Sequence, residues 1–280
     1  MARVRGQIWL ITLGAIGAVI LLNEFGRKPP ELTPMDFVVG GQDALQFCDP
    51  NHPRFHPSRA APQQPVTLAV TGAGGGGAEQ VVLRTTSGKV IRGSDLDFTE
   101  GRLLRLFLVD PALRTFVEKD PVELNPGEWL FTAPPATAGA SRIFADFTPK
   151  ATAREMYARG ALAAPAAGGS RAPGSAAPDG YACSFATSRA PLYARQPFEV
   201  TVRIARPDGE DALIQPIAGV RADLIAFDSD LSGMAKFECR APGALAFRAD
   251  IRDPGSYVFW FVAQVDDRAH ERRYGATILP

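Results

Sequence analysis

From residue 65 onward the chain alternates apolar and polar side chains in short runs. Residues 65–71 (PVTLAVT) change side at nearly every step, the period of a strand with one buried face. Comparable runs follow at 79–85, 102–109, 127–131 and 141–147. A second group lies at 181–187, 198–204, 222–227, 234–239, 244–249, 256–265 and 274–279. Short strands divided by turns at this spacing predict an all-β chain built of β-sandwiches. Residues 161–180, between the groups, are mostly Ala, Pro, Gly and Ser with few large apolar side chains, which predicts an interdomain linker. Residues 29–64 are rich in proline and turn formers and predict an extended segment running over a surface.

The two groups repeat one another. Residues 105–110 and 116–120 parallel 223–228 and 234–238, 127–131 parallels 243–247, and 139–144 parallels 255–260, all at an offset of about 116–118 residues. That offset is a typical domain length. The predicted layout is an anchor at 1–28, an extended segment at 29–64, a sandwich at 65–160, a linker at 161–180 and a second sandwich at 181–280.

The anchor rests on the apolar run from Ile8 to Leu22, which reaches spanning length with Gln7 and the residues up to Phe25. A cleaved signal peptide is the rival reading, but no small-x-small site follows the run. Arg3 and Arg5 precede it and outweigh Arg27 and Lys28, which are offset by Glu24. The positive-inside rule then puts the N-terminus in the cytoplasm and the sandwiches in the periplasm, on a single-pass inner-membrane protein. Gly14 and Gly17, with Ala15 and Ala18, make a small-residue patch suited to close helix packing; ordinary membrane-helix composition explains it equally well.

Composition narrows the chemistry. Thirty Lys plus Arg balance thirty Asp plus Glu, which argues against a nucleic-acid partner. Three histidines and three cysteines are too few for a disulfide scaffold or a multihaem carrier. There is no Gly-x-Ser-x-Gly elbow, P-loop or His-Glu-x-x-His helix, and the Gly74–Gly77 run lacks the lysine of a phosphate cradle. No catalytic or cofactor-binding residue is therefore assigned. Asp208, Glu210 and Asp211 read as a solvated turn, and His270 as a solvated residue in a polar turn. Trp129, Phe131, Phe144, Phe147, Phe247, Trp260 and Phe261 lie in predicted strands, and most are expected in the core.

The segments LQFCDP (45–50), VLRTTSGK (82–89), LFLVDP (106–111), PGEWLF (126–131) and FADFTP (144–149) resemble bacterial secreted and membrane-anchored proteins with tandem immunoglobulin-like domains. Heavy-metal or copper binding is ascribed to that group, and the resemblance covers most of residues 36–280. It implies two tandem immunoglobulin-like β-sandwich domains behind a single N-terminal transmembrane helix. In that family each domain tends to carry one strand histidine and two more from a His-x-His-Pro motif. Here the matching positions are Arg105, Glu118 and Asp120 in the first domain, and Asp223, Lys236 and Glu238 in the second. None is histidine, so the metal role does not transfer. The replacements carry both signs, and neighbouring strands bring same-face residues within reach. Arg105 is expected to pair with Glu118 or Asp120, and Asp223 with Lys236; six solvated surface charges are the alternative.

Cys48, His52 and His56 are weak metal candidates, since a thiol and two imidazoles suit zinc or copper, although intervening prolines oppose a helix that would align them. Cys183 and Cys239 could form a disulfide in an oxidising compartment. Two functional expectations result. The first is a non-catalytic accessory subunit of a bacterial membrane complex, photosynthetic or respiratory, with integral membrane subunits and the bilayer as partners. The second is a membrane-tethered periplasmic copper or heavy-metal binder.

Overall fold

The strands follow from the alternation, and their order from where each apolar face finds cover. In the computed structural model the described residues are 31–37, 65–72, 77–133, 141–162, 180–217, 219–239 and 243–280. The expectations placed on Gly14 and Gly17, on Cys48, His52 and His56, and on most of the linker lie outside them. Among the described residues no helix is long and apolar enough to cross a membrane.

The first half contains β1 (Val66–Gly72), β2 (Ala78–Thr85), β3 (Leu104–Val109), β4 (Phe116–Lys119), β5 (Val122–Asn125), β6 (Glu128–Thr132), β7 (Ser141–Phe147) and β8 (Met156–Leu162). They form two antiparallel sheets, in the orders β1-β2-β6-β5 and β4-β3-β7-β8. The second half contains β9 (Ala182–Thr187), β10 (Leu192–Tyr193), β11 (Phe198–Ala205), β12 (Ile214–Gln215), β13 (Ala222–Asp228), β14 (Met234–Cys239), β15 (Leu245–Ala249), β16 (Gly255–Val265) and β17 (Arg268–Leu279). Their sheets run β15-β11-β9 and β10-β17-β16-β13-β14, with β12 added against β16. The chain is all-β and sandwich-like.

The halves repeat at the level of backbone detail. Leu113 and Leu231, each in the turn after its half's β3-type strand, both adopt positive φ (54° and 52°). Asp110 and Asp228 open those turns. The Asp110 carboxylate accepts from Arg114 N, Thr115 N and the Thr115 hydroxyl; that of Asp228 accepts from Ser232 N and the Ser232 hydroxyl. Binding the turn's amides this way satisfies donors that would otherwise be orphaned.

Where the structure departs from two tandem domains is in their contact. Pro34–Pro280 form one compact unit. Every residue of β3 and of β13 is buried, although alternation predicts one wet face. Leu224 and Ala226 face the second half's own core. The opposite faces, Phe107 and Val109 on β3 with Ile225 and Phe227 on β13, enter a shared cluster with Phe116, Phe144, Met234 and Trp260. Ring centroids there lie 5.4 Å apart for Phe116–Trp260 and 5.1 Å for Phe144–Phe227, offset and tilted contacts that add to the burial. The strands β3 and β13 are thus covered on both faces, while β17 keeps one face largely exposed.

Residues 29–64 also depart from expectation where they are described. Pro34–Phe37 form a 3-10 turn rather than extended chain. Phe37 is fully buried, and the Asp36 carboxylate accepts from Lys89 Nζ and the Ser87 hydroxyl, each at 3.0 Å. An apolar anchor and a buried carboxylate with two donors tie this segment to the sandwich.

Candidate functional site

The six charged positions singled out in the sequence all lie on or beside the seam between the halves. β3 carries Arg105 and β13 carries Asp223, 118 residues apart, and they meet directly: Arg105 Nη1 donates to Asp223 Oδ2 at 2.7 Å. Arg105 also pairs with Glu118 on β4, Nε to Oε1 at 3.3 Å, and its other Nη donates to Glu100. Lys236, on β14, reaches carboxylates of both halves. Its Nζ lies 2.6 Å from Glu155, 3.1 Å from Asp146, 3.2 Å from Glu238 and 3.3 Å from Glu100. Asp120 sits at the solvent rim and pairs, with Glu118, to Arg102 Nη1 at 2.8 and 2.5 Å.

The expected pairing of Asp223 with Lys236 is replaced by the cross-seam pair with Arg105, and Asp120 goes to Arg102. Register explains the first. Asp223 stands opposite Glu238 on β14, while Lys236 stands opposite Ile225, so Asp223 and Lys236 are not direct cross-strand neighbours. Arg105, Asp223 and Lys236 are 4%, 7% and 8% exposed, which sets aside the solvated-surface alternative for these three.

Four members are not among the six positions picked out from the sequence: Glu100, Arg102, Asp146 and Glu155. Glu100 lies in the tight turn before β3, at φ 52°. Asp146 sits opposite Arg105 in the β3–β7 register, inside the run 143–147 whose other residues are buried and apolar. A lone acid in such a run, matching the lone arginine in 104–109, was a readable signal of a buried pair. Glu155 precedes β8 and meets Lys236 only through tertiary packing.

The seam is rich in acid. Seven carboxylates, Glu100, Glu118, Asp120, Asp146, Glu155, Asp223 and Glu238, meet Arg102, Arg105 and Lys236. Burial and then a hydrogen bond with Glu100 push the Glu238 carboxyl up to about 7. Burial also opposes ionisation of Glu100, but that hydrogen bond and the charges of Lys236 and Arg105 outweigh it and hold Glu100 down to about 2; the two behave as a pair sharing one proton. Burial and then the charge of Asp146 lift Glu155 to about 7. Its side chain keeps 37% of its surface, so water screens it more than Glu238. Asp146 and Asp223 are both raised, by burial first, against the pull of Lys236 and Arg105. On β17, burial and then the Glu118 charge lift Glu271 to about 7.

Glu100, Asp223 and Glu238 each bring a carboxylate oxygen within 4.8 Å of the others, and hard oxygen donors so arranged suit a hard cation. Here the Lys236 ammonium and the Arg105 guanidinium supply the positive charge, contacting all three acids between them. The trio is an ion-pair network rather than a ligand set.

Further contacts repeat reciprocally across the seam. Arg159 on β8 donates to Leu231 O and Ser232 O at 3.2 and 2.9 Å, and Arg273 on β17 donates to Leu113 O at 2.7 Å. Each half thus grips the other's equivalent turn, the reciprocity of an isologous two-fold interface.

Two other expectations change. His270 is 3% exposed on β17, with its ring edge-on to Tyr181 at 4.8 Å; β17 continues where a polar turn was expected, and Tyr181 covers the imidazole. Cys183 and Cys239 are not bridged to each other. They sit on β9 and β14 in opposite sheets, with β11 and β15 between β9 and the β14 side.

No protein-family model matches the chain, and no curated protein matches it. Among solved structures it is similar to Escherichia coli alpha-2-macroglobulin at 13% identity and TM-score 0.28, over 77% of this chain and 14% of that one. It is similar to the Escherichia coli adhesin FdeC at 13% identity and TM-score 0.22, over 77% and 63%. The D00-D0 domain of intimin matches at 10% identity and TM-score 0.25, over 76% of this chain and 100% of that one. The chain therefore spans about a seventh of the macroglobulin and under two thirds of FdeC.

Proposed function

We propose that this chain is a non-catalytic structural subunit of a bacterial membrane complex, tethered by one N-terminal helix with its sandwiches in the periplasm. The observation that carries the reading is the seam. Arg105, Asp223 and Lys236, at positions where the resembled family places metal ligands, are committed here to joining two sandwiches into one body. A two-sandwich body with buried cross-links suits bracing or covering a larger assembly.

We infer that both halves are immunoglobulin-like. The first pairs four strands in the order expected for strands A, B, E and D against four in the order C′, C, F and G. In the second, β10 leaves the β9 sheet and pairs in parallel with β17. Tyr257, near the start of β16, donates its hydroxyl to Asp253 O at 2.8 Å, the contact known as a tyrosine corner in this architecture.

Native electrophoresis of source membranes extracted in mild detergent, with mass spectrometry of the band, tests the function. Co-migration with a large membrane complex is expected. Migration as a free species near the chain's own mass plus detergent contradicts the proposal. Near-stoichiometric copper or zinc after dialysis at neutral pH would instead favour a tethered metal binder acting through Cys48, His52 and His56.

A further inference from the structure

The seam holds more carboxylates than cations around a buried centre of Arg105, Asp146, Asp223 and Lys236. We propose that it is a proton-dependent lock: the two sandwiches close fully only while part of the excess acid keeps its protons, and deprotonation loosens the contact between them. This does not depend on what the chain is attached to.

The geometry sets the terms. Glu238 on β14 faces Lys236 on its own strand, Asp223 on β13, Glu100 in the turn before β3, and Glu155 before β8. Glu155 faces Lys236, Asp146 on β7, Tyr157 on β8 and Glu238. Arg105 serves Glu100, Glu118 and Asp223, while Arg102 is held by Glu118 and Asp120. Glu271 adds a further acid beside Glu118. Lys236 and Arg105 cannot neutralise every carboxylate they touch, and like charges at these separations in a poorly solvated seam cannot all ionise without cost. One oxygen of Asp223, Oδ1, is buried without a hydrogen-bond partner, so the closed seam already leaves an acceptor unsatisfied.

The direction with pH is fixed by which state binds protons more tightly. Glu155 and Glu238 rise from the ordinary 4.5 to about 7 in the closed seam. Their contribution is complete below pH 4.5, is lost as pH rises through about 7, and is constant above that. Glu100, lowered from 4.5 to about 2, contributes above pH 4.5 and loses its share as pH falls toward 2. Asp146, Asp223 and Glu271, all raised, act in the same direction as Glu155 and Glu238, so the lock is tightest in mild acid and weakens toward neutrality.

Trp260 reports on the seam: it is 7% exposed and stacks on Phe116 of the other half. The test uses the full chain in mild detergent with Trp9→Phe and Trp129→Phe, leaving Trp260 as the fluorophore, and measures acrylamide quenching from pH 5 to 8.5. Far-UV circular dichroism is followed in parallel. Quenching should rise severalfold between pH 5 and about 7.5 and then level off, with strand content unchanged. Adding Glu155→Gln and Glu238→Gln, which mimic the protonated acids, should remove at least half of that rise. Lys236→Met, which removes a cation, should move the rise to lower pH; if that variant does not fold, the glutamine pair still decides. Flat quenching in the parent, an equal rise in the glutamine variant, or loss of strand signal together with the rise would each overturn the proposal.

Discussion

The two halves of the molecule agree where each serves its own sandwich and differ where each meets the other. Their turns match down to Leu113 and Leu231 at positive φ and the carboxylates of Asp110 and Asp228 on turn amides. At the seam two of the three matching positions carry opposite signs, Arg105 against Asp223 and Glu118 against Lys236, while Asp120 and Glu238 are both acidic. In an interface with two-fold character only residues at the axis meet their own equivalents, and Arg105 and Asp223 do so. Had the halves stayed identical, Arg105 would face another arginine. Divergence in sign makes one half the fitting partner of the other, so the apolar pattern encodes the sandwich twice and the charges encode the pairing.

That contrast can be broken most severely at Lys236. Lys236→Met strands several buried acids and should cost about 3–5 kcal/mol in urea unfolding at pH 7, the penalty of leaving buried charge uncompensated. Phe227→Ala should cost about as much, about 3–5 kcal/mol for a large cavity. Because Phe227 lies in the shared cluster, this variant should also split one unfolding transition into two, whereas Phe247→Ala, within the second half's own core, should leave a single transition. Matched glycines sharpen the comparison further. Gly127 and Gly243 both hold positive φ, 83° and 97°, but a Cβ at Gly127 would meet Val90 Cγ1 at 2.2 Å while one at Gly243 meets nothing within 4 Å. Gly127→Ala should lower the melting temperature clearly more than Gly243→Ala, whose cost is about 1 kcal/mol of backbone strain. The smallest effect is expected at the rim: Asp120→Asn, with a side chain 60% exposed, should change stability by about 0.5 kcal/mol or less.

Much of this architecture was legible in the chain because alternation and turn residues are local signals. The strands at 66–72, 198–205 and 222–228 follow from patterning, as does their recurrence. What sequence pattern could not supply was the second cover on β3 and β13. A strand buried on both faces reads as a nearly continuous apolar run, and LRLFLV (104–109) does so apart from Arg105. Reading that arginine as half of a pair was sound, but its partner on the other half is set by sheet packing rather than by spacing. Glu100 lies in a turn and Glu155 just before β8, and both enter the seam only when the halves meet, so nothing in their neighbourhoods marked them. His270 was hidden for a similar reason: its polar flanks suggested a turn, and its cover comes from Tyr181, distant in sequence.

What joins the halves most directly is the pair Arg105 and Asp223, acting together across the seam. A double-mutant cycle on Arg105→Met and Asp223→Asn, read by urea unfolding at pH 7, measures this directly. A coupling energy of about 1–3 kcal/mol is expected, with the double variant more stable than the sum of the two losses implies. Additivity within about 0.5 kcal/mol would contradict it, because residues that do not interact are expected to add to that accuracy.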